Sequence, residues 1–287
     1  LLYSLMVRFS DRLTAAVGGL VFATTFAFAH PVFYPNGNFV TPYSHEMTHG
    51  LILAAVVLVF LWGHLESGSR WRLLACGVAL GLMFMTKPEF LVAMLPAVII
   101  GLVLSAWASS GSPLRLARDL LVLGGAAAAP VLVAVGALAL ALPLAPAVRG
   151  TLGSWPDILR SDLHGLFYYK TVMGTLDTAH SLRRIFVWTA GYSVLLTTAA
   201  LVALRLQVPR RWERWVALAT VIVLVGPLAL FSDRFAWGEF ARPYSLLLSA
   251  GALLLVLRIS RSKREAALDA RLIPALVTVL FALLLLT

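Results

Sequence analysis

Two histidines and a glutamate stand together at His45-Glu46-Met47-Thr48-His49. On a helix, positions i and i+4 share a face, so both imidazoles could hold one zinc, with Glu46 as the general base of an intramembrane zinc metalloprotease. A catalytic zinc takes three protein ligands. The next candidates, His64 and Glu66, lie at the far end of the apolar run that follows. The same residues admit a plainer reading. Ser44 or Thr41 would cap a helix starting here, and Glu46 in its first turn would meet the positive end of the helix dipole. That accounts for Glu46 and leaves the two histidines unexplained.

A second group is Met85-Thr86-Lys87-Pro88-Glu89-Phe90. The apolar run before it, 71–86, makes only about 24 Å of helix at roughly 1.5 Å per residue. A hydrocarbon core is about 30 Å thick, so Lys87 and Glu89 should sit recessed below its surface, beside a proline that ends the helix. An ionisable group at such depth costs about 2.5–3.5 kcal/mol on insertion scales, and its presence points to function. Lys87 suits a lipid-linked phosphate, with Glu89 holding it in place; the alternative is a Lys–Glu pair that neutralises itself at a hairpin. A third group runs from Asp233 to Tyr244 and includes Arg234, Trp237, Glu239 and Arg242. Arg242 could clamp two phosphate oxygens with its planar fork or serve as an interfacial arginine, and Trp237 and Tyr244 fit an aromatic belt.

The elements that must carry these groups are membrane helices. The chain is 60% hydrophobic and 13% charged with a mean hydropathy of +0.90, which excludes an ordinary soluble domain. Apolar run length predicts nine spans at about 13–30, 50–65, 71–86, 90–108, 119–143, 185–204, 215–232, 243–257 and 272–287. The net charge of +10 does not imply nucleic acid, because the cations collect in alternate loops. With the start of the chain inside, the inner loops carry Arg8, Arg12, Arg70, Arg72, Arg115, Arg118, Arg205, Arg210, Arg211, Arg214, Arg258, Arg261, Lys263, Arg264 and Arg271. Lys87, Arg149, Arg160, Lys170, Arg183, Arg184, Arg234 and Arg242 remain outside. The bias favours this orientation over its reverse.

The segment 31–49, free of Lys and Arg, and the segment 144–184 are then outer loops of a single transmembrane domain spanning 1–287. His30, His45, His49, His164 and His180 face outward and His64 inward, which puts the expected chemistry outside. In the longer loop, Trp155-Pro156-Asp157 reads as a turn or helix start. The residues from Asp157 to Tyr169 fit either a surface helix or a plain connection. Gly77 and Gly81 form a Gly-x-x-x-Gly pair that permits close helix packing. Cys76 is the sole cysteine, so neither an internal disulfide nor a multi-cysteine metal site can form. The chain starts at Leu1 without a basic n-region and cleavage site, and stops in an apolar run, so it reads as part of a longer polytopic protein.

Three stretches resemble glycosyltransferase family 39 of the GT-C class, which includes protein O-mannosyltransferases and aminoarabinose transferases. Asn38-Phe-Val-Thr-Pro-Tyr-Ser-His-Glu-Met-Thr-His-Gly-Leu51 resembles the outer loop between the third and fourth helices of bacterial members. Gly81-Leu-Met-Phe-Met-Thr-Lys-Pro-Glu89 resembles the family's Gly-Leu-…-Thr-Lys hairpin, and Leu2-Tyr-Ser-Leu-Met-Val-Arg8 the cytoplasmic lead into the third helix. The similarity covers residues 1–105 and is architectural beyond them.

The resemblance implies an all-α polytopic bundle in a bacterial inner membrane. It implies transfer of a sugar from a polyprenyl-phosphate donor to an acceptor glycan, lipid or protein on the outer face. It would make Glu46 the acidic position of the second outer loop and Lys87 the recessed lysine, with the main catalytic carboxylate upstream of Leu1. Lys87, Glu89, Arg242, His45 and His49 are the expected substrate-binding residues. No cofactor is assigned, a divalent metal at His45, Glu46 and His49 being the one the pattern could hold. A secondary transporter is the alternative from another class. It would want ionisable groups near the midplane and an internal repeat, whereas the charges here gather at span ends and no repeat is visible.

The loop charges predict which sites meet an outside reagent. A cysteine introduced beside Asn38 should react with a membrane-impermeant maleimide in intact cells, and one beside Arg211 should not. The reverse pattern would overturn the orientation.

Overall fold

The structure, a computed structural model, describes residues 2–9, 12–22, 45–109, 113–153, 155–158, 176–205, 244–264 and 271–286, with single positions at 167, 170, 212, 215, 219 and 222. The regular structure among them is helical throughout: α1 (Leu2–Phe9), α2 (Arg12–Val21), α3 (His45–Ser67), α4 (Arg70–Phe84), α5 (Pro88–Ala108), α6 (Pro113–Ala139), α7 (Leu144–Leu152), α8 (Trp155–Ile158), α9 (Thr178–Arg205), α10 (Tyr244–Arg264) and α11 (Leu272–Leu286). A helix satisfies its backbone hydrogen bonds within itself, which hydrocarbon requires of any segment that crosses it.

Among the described residues, four helices are long and apolar enough to cross a membrane: α3, α5, α6 and the Tyr244–Ser262 part of α10. Their apolar side chains are not confined to one stripe. Val92, Leu95, Ile99 and Val103 point out of the bundle from α5 while Ala93, Met94, Ala97 and Val98 fill the core from the same helix. A helix apolar on every face belongs in lipid.

The predicted spans at 50–65, 90–108, 119–143 and 243–257 fall on these four helices, while those at 71–86, 185–204 and 272–287 fall on α4, α9 and α11, which are not among them. The predicted span at 13–30 begins in α2, and the one at 215–232 lies outside the described residues apart from single positions. Several helices extend beyond the apolar runs, α6 starting at Pro113 and α9 at Thr178. α3 starts at His45, so the polar motif is helical, and α10 continues to Arg264. Hydropathy marks where lipid lies; the hydrogen-bond ladder continues into the interface.

α4 packs between α3 and α6, and α5 joins α3, α4 and α6 to α11, whose other side carries α10. The α4–α6 contact depends on glycine. A Cβ at Gly81 would lie 2.1 Å from the Ala127 carbonyl oxygen and 2.5 Å from Pro130, and one at Gly77 would lie 2.6 Å from the Leu123 carbonyl oxygen. The two glycines therefore let the α6 backbone lie directly on α4, as their spacing predicted. Gly101 performs the same service between α5 and Val277 of α11.

The inner end is closed by a short hairpin. Gly68, at φ +68°, ends α3 with its N–H donating to the His64 carbonyl at 2.7 Å, a left-handed position that favours glycine. Arg72 reaches back from α4 to donate to the Gly63 carbonyl at 2.8 Å. From α1, Arg8 lies over the Trp62 ring at 5.5 Å, and the Trp62 indole donates to Glu66.

Gly81→Ala should lower stability by about 1–3 kcal/mol, because the α6 backbone must move to admit one methyl group. Gly136→Ala, where a Cβ meets nothing within 4 Å, should leave stability unchanged or slightly raised. Thermal unfolding of the two variants in detergent measures the difference, and equal melting temperatures would contradict the packing.

Candidate functional site

The hairpin between α4 and α5, on the side expected to be outside, is shaped by its proline. Pro88 occupies the first turn of α5, where its missing N–H costs nothing. It also forces the preceding residue into an extended conformation, and Lys87 has φ −137° and ψ 112°. The three carbonyls at the end of α4 are all used. Met85 N–H donates to Leu82, Thr86 N–H and its hydroxyl donate to Met83, and the Trp155 indole donates to Phe84 at 3.0 Å. Trp155 also stacks on the Phe84 ring, with centroids 5.0 Å apart. The loop after α6 thus returns over the end of α4, and α8 begins at the residue where a turn or helix start was expected.

A second glycine notch brings this hairpin to α3. Phe90 is 2% exposed, and its ring would lie 2.6 Å from a Cβ at Gly50. With Phe90 seated there, the Lys87 ammonium reaches the first turn of α3 and donates to the Met47 sulfur at 3.0 Å. Lys87 and Met47 of the His-Glu motif are 40 residues apart in sequence and meet at the same end of the bundle. A thioether is a weak acceptor, so this contact positions the ammonium without neutralising it.

Glu89 does not hold the lysine. It lies exposed in the first turn of α5, where the helix dipole favours a carboxylate, while Lys87 turns toward Met47. Residues two apart at a helix start do not face each other, which is why the expected Lys–Glu contact gives way to one across the bundle.

His45 and His49 are exposed and share a face of α3, as their spacing requires. Met47 stands about 200° around the helix from both, at roughly 100° per residue. The histidines therefore turn away from Lys87, and Glu46, about 100° from Met47, is the member of the motif nearest the lysine's side. Among the described residues no three His, Cys, Asp or Glu side chains converge as a metal site. Ser44, the expected cap, and Arg242 lie outside the described residues, and so does most of the segment from Asp157 to Tyr169.

Below the hairpin, an apolar groove of about 280 Å³ runs between α4, α5 and α6. Leu80, Gly81, Phe84, Leu91, Leu95 and Val131 line it. Phe84 and Leu91 of its lining flank the turn that carries Lys87, whose ammonium turns instead toward α3.

At the opposite end, the structure holds a polar cluster that sequence reasoning missed. His64 and Asp119 are 4% and 7% exposed. The His64 Nδ1 donates to the Ser69 carbonyl at 3.0 Å, and its Nε2 faces an Asp119 carboxylate oxygen at 3.9 Å. Arg115 and Arg118 approach the same carboxylate at 3.9 and 3.6 Å. The cluster joins the end of α3, the start of α4 and the first turns of α6, with two half-exposed arginines flanking its one buried carboxylate. Asp119, the one acid between Arg115 and the apolar run, carried the signal, since its arginines stand at i−4 and i−1.

No family model, curated protein or solved structure matches the chain.

If Met47 and Lys87 touch, cysteines replacing both should be joined by a short bifunctional thiol reagent. Cys76 is buried and should stay unmodified. A doubly substituted protein that folds and gives no cross-link would refute the contact.

Proposed function

We propose that this chain is the membrane domain of a GT-C type glycosyltransferase with about nine spans. It moves a sugar from a polyprenyl-phosphate donor to an acceptor on the extracytoplasmic face. The observation that carries the reading is Lys87, a cation with a thioether as its hydrogen-bond partner in the turn whose flanking residues, Phe84 and Leu91, line an apolar groove. A lipid phosphate with a long apolar tail needs this pairing: hydrocarbon walls for the chain and an ammonium for the headgroup. The three stretches that resemble family 39 support it independently.

In the reaction, an acceptor hydroxyl oxygen bonds to the anomeric carbon while the bond from that carbon to the phosphate oxygen breaks. The electron pair stays on the lipid phosphate, where Lys87 stabilises the added charge. The hydroxyl proton passes to a carboxylate. Glu46 is the acid of the outer loop nearest Lys87 in register, and the resemblance puts the main catalytic carboxylate upstream of Leu1. His45 and His49, on the face of α3 turned away from Lys87, are the candidates for acceptor binding, and Arg242 is a second candidate for the phosphate.

Lys87→Ala in the full-length enzyme should weaken binding of the lipid-linked sugar about ten- to a hundredfold, the equivalent of a charge-assisted contact of roughly 1.5–3 kcal/mol. Lys87→Arg should keep part of the affinity, and Glu89→Gln should have a smaller effect. Donor binding and turnover of the three variants, with thermal stability as the folding check, measure this. Unchanged donor affinity in a well-folded Lys87→Ala protein would reduce Lys87 to a packing residue and remove the support for the transferase reading.

A further inference from the structure

At the end of the bundle opposite Lys87, three polar atoms face one another at distances too long for a hydrogen bond. The Asp119 Oδ2 atom lies 3.9 Å from His64 Nε2 and 3.9 Å from Arg115 Nε. A direct N–H···O contact spans about 2.7–3.2 Å. Polar groups held at the longer spacing are commonly joined by a molecule between them.

The same three side chains line a cavity of about 20 Å³, with Leu65, Leu102 and Leu116 as apolar walls. A water needs roughly 10–15 Å³ of such space and two to four polar partners. The cavity has room for one. Ser109, exposed at the end of α5, also lines it and leaves a route for exchange with solvent.

The hydrogen-bonding roles of the lining select the occupant. The Ser69 carbonyl only accepts, so its contact at 3.0 Å puts a proton on His64 Nδ1. Arg115 and Arg118 already stand beside the Asp119 carboxylate, at 3.9 and 3.6 Å, so the ring has no need of a second proton and Nε2 is left as an acceptor. The carboxylate accepts as well, and Arg115 Nε–H donates. The occupant must therefore give two protons and receive one. A metal cation cannot receive from a guanidinium, and a halide cannot give to a carboxylate. A single water does both.

We propose that one ordered water binds in this cavity, donating to His64 Nε2 and Asp119 Oδ2 and accepting from Arg115 Nε. It joins the end of α3 to the first turns of α6, while His64 ties both to the start of α4 through Ser69. The site does not depend on the transferase reading, which concerns the other end of the bundle.

Two measurements on the full chain test the assignment. A density map fine enough to show ordered water should hold a peak within about 3.2 Å of all three atoms. A direct hydrogen bond between Nε2 and Oδ2, or the three atoms at this spacing without a peak, would overturn the proposal. Histidine ¹⁵N NMR, with His64 assigned from the signal lost in His64→Gln, reads the proton positions. At about pH 8, where a free imidazole is neutral, Nδ1 should carry the proton and Nε2 should show the shift of a hydrogen-bond acceptor. A proton found on Nε2 takes away the water's second acceptor and sinks the assignment. Asp119→Leu removes one partner and fills the space, so the peak and the Nε2 hydrogen-bond shift should both vanish. A peak that persists in the folded variant means that Asp119 does not hold the water, contrary to the proposal. If either variant fails to fold, the density map of the parent protein decides alone.

Discussion

Backbone against backbone is the contact on which this bundle rests. Lipid tails are as apolar as leucine, so burying apolar surface gives little drive for one membrane helix to choose another. Selectivity comes from fit. At Gly77 and Gly81 the absence of a Cβ lets α6 carbonyls lie on the surface of α4, and no other residue type could occupy either position without moving a helix. That approach fixes α4, and α4 in turn fixes the hairpin at its outer end. Gly50 then receives Phe90 and locks the start of α5 to the start of α3. Without these notches Lys87 would still be a charged residue near a span end. With them it is a cation at one defined point of the first turn of α3.

The polar groups follow from the same economy. Each helix end exposes backbone groups that hydrocarbon will not satisfy. At the outer end of α4 the fourth-turn carbonyls take their donors from the turn itself and from Trp155, 71 residues away. At the inner end two half-exposed arginines, Arg115 and Arg118, flank the buried Asp119 that His64 faces, within three helix termini. The two ends differ in what is left over. The inner carboxylate has cations beside it, whereas the outer lysine is held by a sulfur that cannot neutralise it.

Up-and-down connectivity explains why residues from distant parts of the sequence meet only at like ends. Lys87 meets Met47, Trp155 meets Phe84, and His64 meets Asp119, each pair on the same predicted side of the membrane. On α5, Gly101 meets Val277 of the oppositely directed α11 at matching depth. These contacts are the ones that an up-and-down order of helices permits.

Much of this was legible in the residues themselves. Run length located the helices because a hydrocarbon core of fixed thickness demands a minimum of apolar residues. The Gly77–Gly81 spacing announced a close contact, and Pro88 announced the break after a short helix, because both are constraints of single side chains on their own backbone. Partners across the bundle were not legible. Nothing near Lys87 in sequence named Met47, and its neighbour Glu89 suggested a pairing that the helix start does not permit. The His45–His49 pair shares a face by spacing alone, but which way that face turns depends on where Phe90 seats. His64 and Asp119 looked like an inward histidine and the polar start of a span until the α3, α4 and α6 ends came together. Local chemistry is written in consecutive residues. The partners of a charge are decided by which helices can approach, and that depends on shape at positions dozens of residues away.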